Sequence, residues 1–352
     1  MVTSEQVAQL AGVSRATVSR VLNGSPRTSA EARTRVHAAI MTLGYEPDMV
    51  AQSLVRHRSR VLTIGLSSEN GEIGLNLSSL SRTSRYFYLD VLKSIEHEAA
   101  SQGYDLLLTS RPQGTSPENY IRSLQTRRVA GTIMISLNLH PPDPRIHALL
   151  QAQIPTVFLE TAGQGSHATY VKTNHIDSAR QVTEHLLSLG HRQIAFLMGS
   201  LTALPGMERL LGGQQALAAV GIPFDPDLTR QGGWEIAEAY QAASTLLKER
   251  RDFTAIVAGS DVMALGVLRA LHEHGLKVPE DISIVGFDDI ELGRYTIPPL
   301  TTSRQDHEML GHGAVQRLID IIEGKGDNPP EPLIVPTQLI VRQSTGPAPA
   351  SR

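Results

Sequence analysis

The sequence predicts a small all-α head followed by an α/β body of two doubly wound parallel-sheet lobes. Three observations lead there. The chain has 352 residues, more than the roughly 250 to 300 that one core accommodates, so two or three domains are expected. The first sixty residues show helical apolar spacing between capping signals, whereas from Val61 onward short apolar runs alternate with helical stretches. Charge divides at the same place: residues 1–60 hold eight Arg and no Lys against Glu5, Glu31, Glu46 and Asp48, a surplus of four, and since the whole chain carries −3 the remainder carries −7. A basic head on an acidic body suits a local polyanion-binding module, because phosphate contacts dominate non-specific attraction to nucleic acid.

Three helices account for the head. Thr3 followed by Gln6 has capping-box form, and Val7 with Leu10 puts two apolar groups on one face of a helix ending near Ala11. Gly12 supplies a tight turn. Ser14 caps a second helix whose buried stripe is Val18, Val21 and Leu22, leaving Arg15, Ala16, Ser19 and Arg20 outside it, and Asn23-Gly24 stops it. A third helix runs from about Ala30 to Leu43, capped by Ser29, with Val36, Ile40 and Leu43 inward and Gly44 as its end signal.

Two helices joined by a Gly-containing turn, the second exposing Arg and Ser near its start, is a helix-turn-helix pattern that suits the DNA major groove. Arg15 and Arg20 can offer paired donors to guanine O6 and N7, Ala16 a methyl-sized contact, and Thr17 or Ser19 hydroxyls to phosphate or base. On spacing alone, a three-helix protein-interaction module with an arginine-rich face fits equally. After Tyr45-Glu46-Pro47, Asp48 can cap a two-turn helix MVAQSLV that is marginal by itself.

The body reads as strand, helix, strand, helix. VLTIGL, YDLLLTS, GTIMIS and TVFLE are separated by helical stretches such as FYLDVLKSIEHEAASQG and SPENYIRSLQTRR, and the alternation resumes with HIDSARQVTEHLLSLGH, QIAFLMG, MERLLGGQQALAAVG, WEIAEAYQAASTLLKER, AIVAGS, DVMALGVLRALHEHG and ISIVGF. Short buried strands alternating with helices make parallel sheets, and about 280 residues suit two lobes. Ligand is then expected at the carboxyl ends of the strands, in the cleft between lobes.

The run VTSEQVAQLAGVSRATVSRVLNG, followed by RTSAEARTRVHAAIMTLGYEPDMVAQSL, resembles the DNA-binding head and hinge of the lactose/galactose-repressor (LacI/GalR) family almost residue for residue. EHLLSLGHRQIAFLMG, SDVMALGVLRALHEHGLKVPEDISIVGFDDIE and PPLTTSRQDHEMLGHGAVQRLI extend the likeness over nearly the whole chain. The resemblance implies a helix-turn-helix at 1–46, a hinge helix and linker at 47–60, a periplasmic-binding-protein-like effector and dimerisation body at 61–342 crossed by three strands, and a tail at 343–352 whose composition reads as disordered. It places Arg15, Ala16 and Arg20 at base-reading positions, Thr3, Ser14, Thr17, Ser19 and Asn23 on phosphates, and Leu54 as a minor-groove wedge. It implies a transcriptional regulator, usually a repressor, that binds a pseudo-palindromic operator as a homodimer and responds allosterically to a carbohydrate.

Sugars are gripped by Asp, Arg, Asn or Gln side chains that make paired hydrogen bonds, with an aromatic ring on the apolar face. By motif match, Arg209 and Asp288 fall at the family's effector-gripping positions, and Glu160, Trp234, Ser260, Asp261 and Gln305 at other cleft-lining positions. An interlobe ion pair or a loop cap is the plainer reading of Arg209 and Asp288. Glu160 and Ser260 depart from the Asp and Asn common there. The Ser-rich stretch at 67–85 is about ten residues longer than usual in the family, and reads as a loop, either a plain insertion or a lid.

Other classes fit poorly. The chain lacks a G-x-S-x-G elbow, a P-loop and H-E-x-x-H, and Gly163, Gly165 and Ala168 precede a strand-like YVKT where a dinucleotide fingerprint needs a helix, so no enzyme is expected. His272 with His274 and His307 with His312 lack a third ligand at metal spacing, so neither metal nor cofactor is expected. With no Cys, no secretory leader and no apolar run of about 20 residues, the chain reads as a cytoplasmic, nucleoid-associated bacterial protein and not a membrane protein or exported receptor.

Overall fold

The computed structural model describes residues 2–22, 25, 27–45, 59–67, 85–108, 116–136, 143–326 and 329–350. The chain divides into two units, Met1–Ser59 and Arg60–Arg352. In the first, α1 (Ser4–Ala11), α2 (Arg15–Leu22) and α3 (Ala30–Leu43) enclose a core of Val7, Ala8, Ala11, Val18, Val21, Val36 and Ala39. The local signals act as their chemistry dictates. Thr3 and Gln6 form a reciprocal capping box, Ser29 accepts from Ala32 N, and Gly12 and Gly44 take left-handed φ of 62° and 59°, where a side chain is strained.

The second unit holds two six-stranded sheets. Lobe 1 contains β1 (Val61–Ser67), α4 (Arg85–Ser101), β2 (Asp105–Leu108), α5 (Pro117–Thr126), β3 (Gly131–Ser136), α6 (Pro144–Gln151), β4 (Thr156–Leu159) and β5 (Ala168–Thr173). Lobe 2 contains α7 (His175–Ser188), β6 (Ile194–Met198), α8 (Leu204–Ala219), β7 (Thr229–Gln231), α9 (Ile236–Glu249), β8 (Ala255–Ala258), α10 (Asp261–Glu273), β9 (Ser283–Asp288) and β10 (Thr301–Gln305). The chain then returns to lobe 1 for α11 (His307–Glu323) and β11 (Leu333–Val335), and ends in lobe 2 with β12 (Thr337–Ile340). It therefore crosses between lobes three times, and each lobe is discontinuous in sequence.

Strand orders are β11-β5-β4-β3-β1-β2 and β12-β10-β9-β8-β6-β7, parallel throughout except for β12 against β10. Alternating side chains leave a sheet on opposite faces. Ile133 and Ile135 join Val91, Ile95, Leu310 and Leu318 from α4 and α11, while Met134 joins Tyr120, Leu124 and Leu149 from α5 and α6. In lobe 2, Leu197 and Ile256 meet α9 and α10, while Phe196 and Val257 meet α7 and α8. Among the described residues no helix is long and apolar enough to cross a membrane.

One expectation fails. Residues 343–350 are an ordered strap across lobe 2, not a disordered tail. Ser344 takes Ile284 N on its carbonyl at 2.8 Å and Thr301 N on its hydroxyl at 2.8 Å, Gly346 N donates to Ser283 Oγ, and Ala348 N donates to Leu189 O. Buried His191 lies 3.0 Å from Ser283 Oγ and 3.1 Å from Gly346 O. The strap is held by main-chain groups and by the hydroxyls of Ser344 and Thr345, which a Gly/Pro/Ala-rich composition does not reveal. Most of the Ser-rich stretch at 67–85 lies outside the described residues.

Candidate functional site

The head presents two chemically distinct faces on α2. Val18 and Val21 are buried, while Arg15, Ala16, Ser19 and Arg20 are exposed and Thr17 is half-buried. Ser14 caps the helix by accepting Thr17 N at 3.2 Å, and its hydroxyl also pairs with that of Thr17 at 2.9 Å. Arg15 Nε donates to Ser4 Oγ at 3.1 Å, which steadies the stem but leaves the rest of the guanidinium in solvent. The Thr3 hydroxyl is engaged in the α1 cap. Asn23 and Leu54 lie outside the described residues, as does the expected hinge helix.

The second cluster lies between the lobes, around a cavity lined by Phe87, Tyr88, Glu160, His175, Pro205, Arg209, Trp234, Ser260, Asp288 and Gln305. Four of the polar residues come from the carboxyl ends of strands. Glu160 follows β4, Asp288 ends β9, Gln305 ends β10, and Ser260 caps α10 just after β8. Glu160 and Asp288 have φ of 61° and 110°, conformations an L-residue holds only where its surroundings impose them and which cluster at functional sites.

Electrostatics follows from burial. Arg209 is 3% exposed, with its guanidinium 3.7 Å from Asp288 Oδ1, hydrogen-bonded to Gly259 O, and 4.5 and 5.9 Å from the ring centres of Phe287 and Trp234. Gln305 donates to Asp288 Oδ1 at 2.5 Å, and its own oxygen lies 2.6 Å from the Thr173 hydroxyl. Burial pushes the Asp288 carboxyl up to about 6 despite Arg209 and Gln305. For Glu160, burial would raise the carboxyl, but His175 and Thr173 outweigh it and hold the group below its usual value. Burial, reinforced by the Glu160 and Asp288 charges, raises the Tyr88 phenol, which therefore remains a protonated donor. Trp234 stacks on Gly199, where any Cβ would strike the indole, and among the described residues its Nε1 is buried without a partner, as is Arg209 Nε.

Six of the seven expected cleft residues line this cavity. The exception is Asp261, which sits behind the wall. Its carboxylate takes Thr302 Oγ1 at 2.7 Å and Ile290 N at 3.0 Å, and burial with the neighbouring Asp288 charge raises it well above its usual value. Sequence reading missed Phe87, Tyr88, His175 and Pro205. Each occupies the start of a helix that follows a strand, which is the one local signal that could have found them. Of the two histidine pairs, His307 faces Asp90, His312 faces Glu98, and His274 Nδ1 meets Ala270 O.

Residues 4–48 match the family described as bacterial regulatory proteins, lacI family, and residues 183–345 match the periplasmic binding protein-like domain. The transcriptional regulator CelR of Thermobifida fusca is 33% identical over 344 residues, 97% of this chain and 98% of that one. The chain belongs to the lacI family. Another lacI-family relative, the lactose operon repressor of Escherichia coli K12, is 33% identical over 98% of this chain and 91% of its own length. Among solved lacI-family structures, a CelR–cellobiose complex superposes with a TM-score of 0.72 at 33% identity, covering 98% of this chain and all of that one. A lac repressor dimer bound to operator and the anti-inducer ONPF reaches 0.81 at 32%, covering 98% and 99%.

Proposed function

We propose that this lacI-family regulator is a repressor that binds a pseudo-palindromic operator as a homodimer and is controlled by a neutral carbohydrate in the interlobe cleft. Arg15, Ala16 and Arg20 read base edges, and Ser14, Thr17 and Ser19 steady α2 on the backbone. Asn23 and Thr3 add phosphate contacts, and Leu54 in a hinge spanning 47–60 wedges the central base step. The observation that carries the effector reading is the cavity itself. A buried Arg209, Asp288 and Gln305 offer donors and acceptors, and Trp234 with Phe87 offers aromatic faces. Glu160 and Asp288 set two carboxyl groups against one guanidinium, which disfavours phosphorylated or acidic sugars. Support also comes from relatives of the same length, one solved with cellobiose and one with operator.

The test is fluorescence anisotropy of full-length protein on the duplex upstream of its own gene, over a salt series, with and without cellobiose or lactose. Binding should be sequence-specific and weaken steeply with salt, and a recognised sugar should change it about 5- to 150-fold, the usual range for allosteric coupling. Equal affinity for a random duplex would sink the reading.

A further inference from the structure

Beside Trp234 Nε1 and Arg209 Nε, a third cleft side chain has a buried hydrogen-bonding atom with no partner among the described residues. His175, the first residue of α7, is 1% exposed and lines the cavity beside Arg209 and Trp234. Its Nε2 is hydrogen-bonded to Glu160 Oε2, while its Nδ1 is buried without a partner among the described residues. A carboxylate only accepts, so the proton of this bond belongs to Nε2. Burial pushes the imidazole below its ordinary value against the pull of Glu160, which leaves the ring neutral near pH 7. A neutral ring protonated on Nε2 carries a bare lone pair on Nδ1, and a buried acceptor with no donor is a cost until a ligand supplies one.

Glu160, in contrast, has both oxygens engaged. Oε1 accepts Thr173 N–H at 3.0 Å, with the Thr173 hydroxyl also 3.0 Å away, and Oε2 takes His175. Its left-handed backbone at φ 61° turns the carboxylate into this arrangement. We propose that His175 is a specificity residue of the effector site, its Nδ1 accepting a hydrogen bond from one hydroxyl of the bound sugar, and that Glu160 is the positioning residue that fixes the ring's tautomer. The assignment rests on the carbohydrate reading of the cleft. It gives Glu160 an indirect role where the motif match had put it directly on the effector.

Glu160→Gln separates this role from packing. Thr173 N–H demands an oxygen at the Oε1 position, so the new amide nitrogen faces His175 Nε2 and drives the ring proton to Nδ1. In full-length protein carrying ¹⁵N-histidine, nitrogen–proton correlation should show bare Nδ1 for wild-type His175 and protonated Nδ1 for E160Q. His175→Gln identifies the resonance among the chain's 13 histidines. Glucose, galactose, cellobiose and lactose are then added in turn, with occupancy followed through Trp234, the one tryptophan of the chain. The sugar that moves Trp234 should shift the Nδ1 resonance, and E160Q should weaken its binding about 10- to 100-fold, as expected when a buried acceptor becomes a donor. A monodeoxy analogue lacking the contacting hydroxyl should bind wild type and E160Q alike. A protonated Nδ1 in free wild-type protein, or a sugar that moves Trp234 and leaves Nδ1 unchanged, overturns the His175 assignment. Failure of every sugar to move Trp234 overturns the carbohydrate reading instead, and the proposal with it.

Discussion

Arg15 and Arg20 stand in solvent on a helix whose other face is apolar, whereas Arg209 is enclosed by two aromatic rings, a carbonyl and a carboxylate. The first pair costs folding nothing and can exchange water for phosphate or base edges. The second residue is tolerated only because partners are already in place, since stripping water from an unpaired charge is expensive. Substitutions in the head should therefore change recognition without changing stability, and those in the cleft should change both.

The largest expected effect is Arg209→Ala. Removing one partner of a buried pair costs about 3–5 kcal/mol, so urea unfolding of the ligand-free protein should show a clear drop, partly restored when Asp288→Asn is added. Arg20→Ala comes next. Operator affinity should fall by about 1–3 kcal/mol at particular base pairs, while unfolding stability moves by no more than about 0.5 kcal/mol. A uniform loss over all duplexes, or a comparable loss of stability, would erase the contrast between the two regions. The smallest effect near neutral pH is the pH dependence of Asp288. Its folded-state carboxyl is raised to about 6 from an ordinary 3.8. The contribution is therefore fully present below about pH 4, at about 3 kcal/mol, and lost as pH rises through about 6, so that less than about 0.5 kcal/mol of it changes between pH 6 and 7. Asp288→Asn should flatten that slope in ligand-free protein, measured by thermal unfolding between pH 4 and 7.

Legibility in the sequence also differs between the two regions. Head geometry is local chemistry: Thr3 with Gln6, Ser29 before Ala30, and Gly44 after Leu43 each announce a helix end within four residues. In the body, alternation reveals strands and helices, but the three crossings and the identity of the cleft residues followed from family resemblance. His175 carries no motif, because its significance depends on β4 and β5 bringing Glu160 and α7 together, a pairing that spans 15 residues of sequence. Asp261 shows the converse, a motif residue whose carboxylate the fold uses behind the wall. The C-terminal strap was illegible because part of its hold is backbone, to which Gly346 and Ala348 contribute as any residue would, and the rest is the hydroxyls of Ser344 and Thr345, whose partners are remote in sequence.

The discontinuity of the lobes has a consequence during synthesis. Lobe 1 draws Leu310, Ala314, Leu318 and Val335 into its core, so a nascent chain cannot seal that lobe until nearly all of the message has been translated. The core of the head, by contrast, is complete by Tyr45. A premature stop codon anywhere between Asn174 and Pro332 would thus release a chain whose arginine-bearing helix is intact while its sensing body has a missing wall, a reader of DNA with nothing left to instruct it.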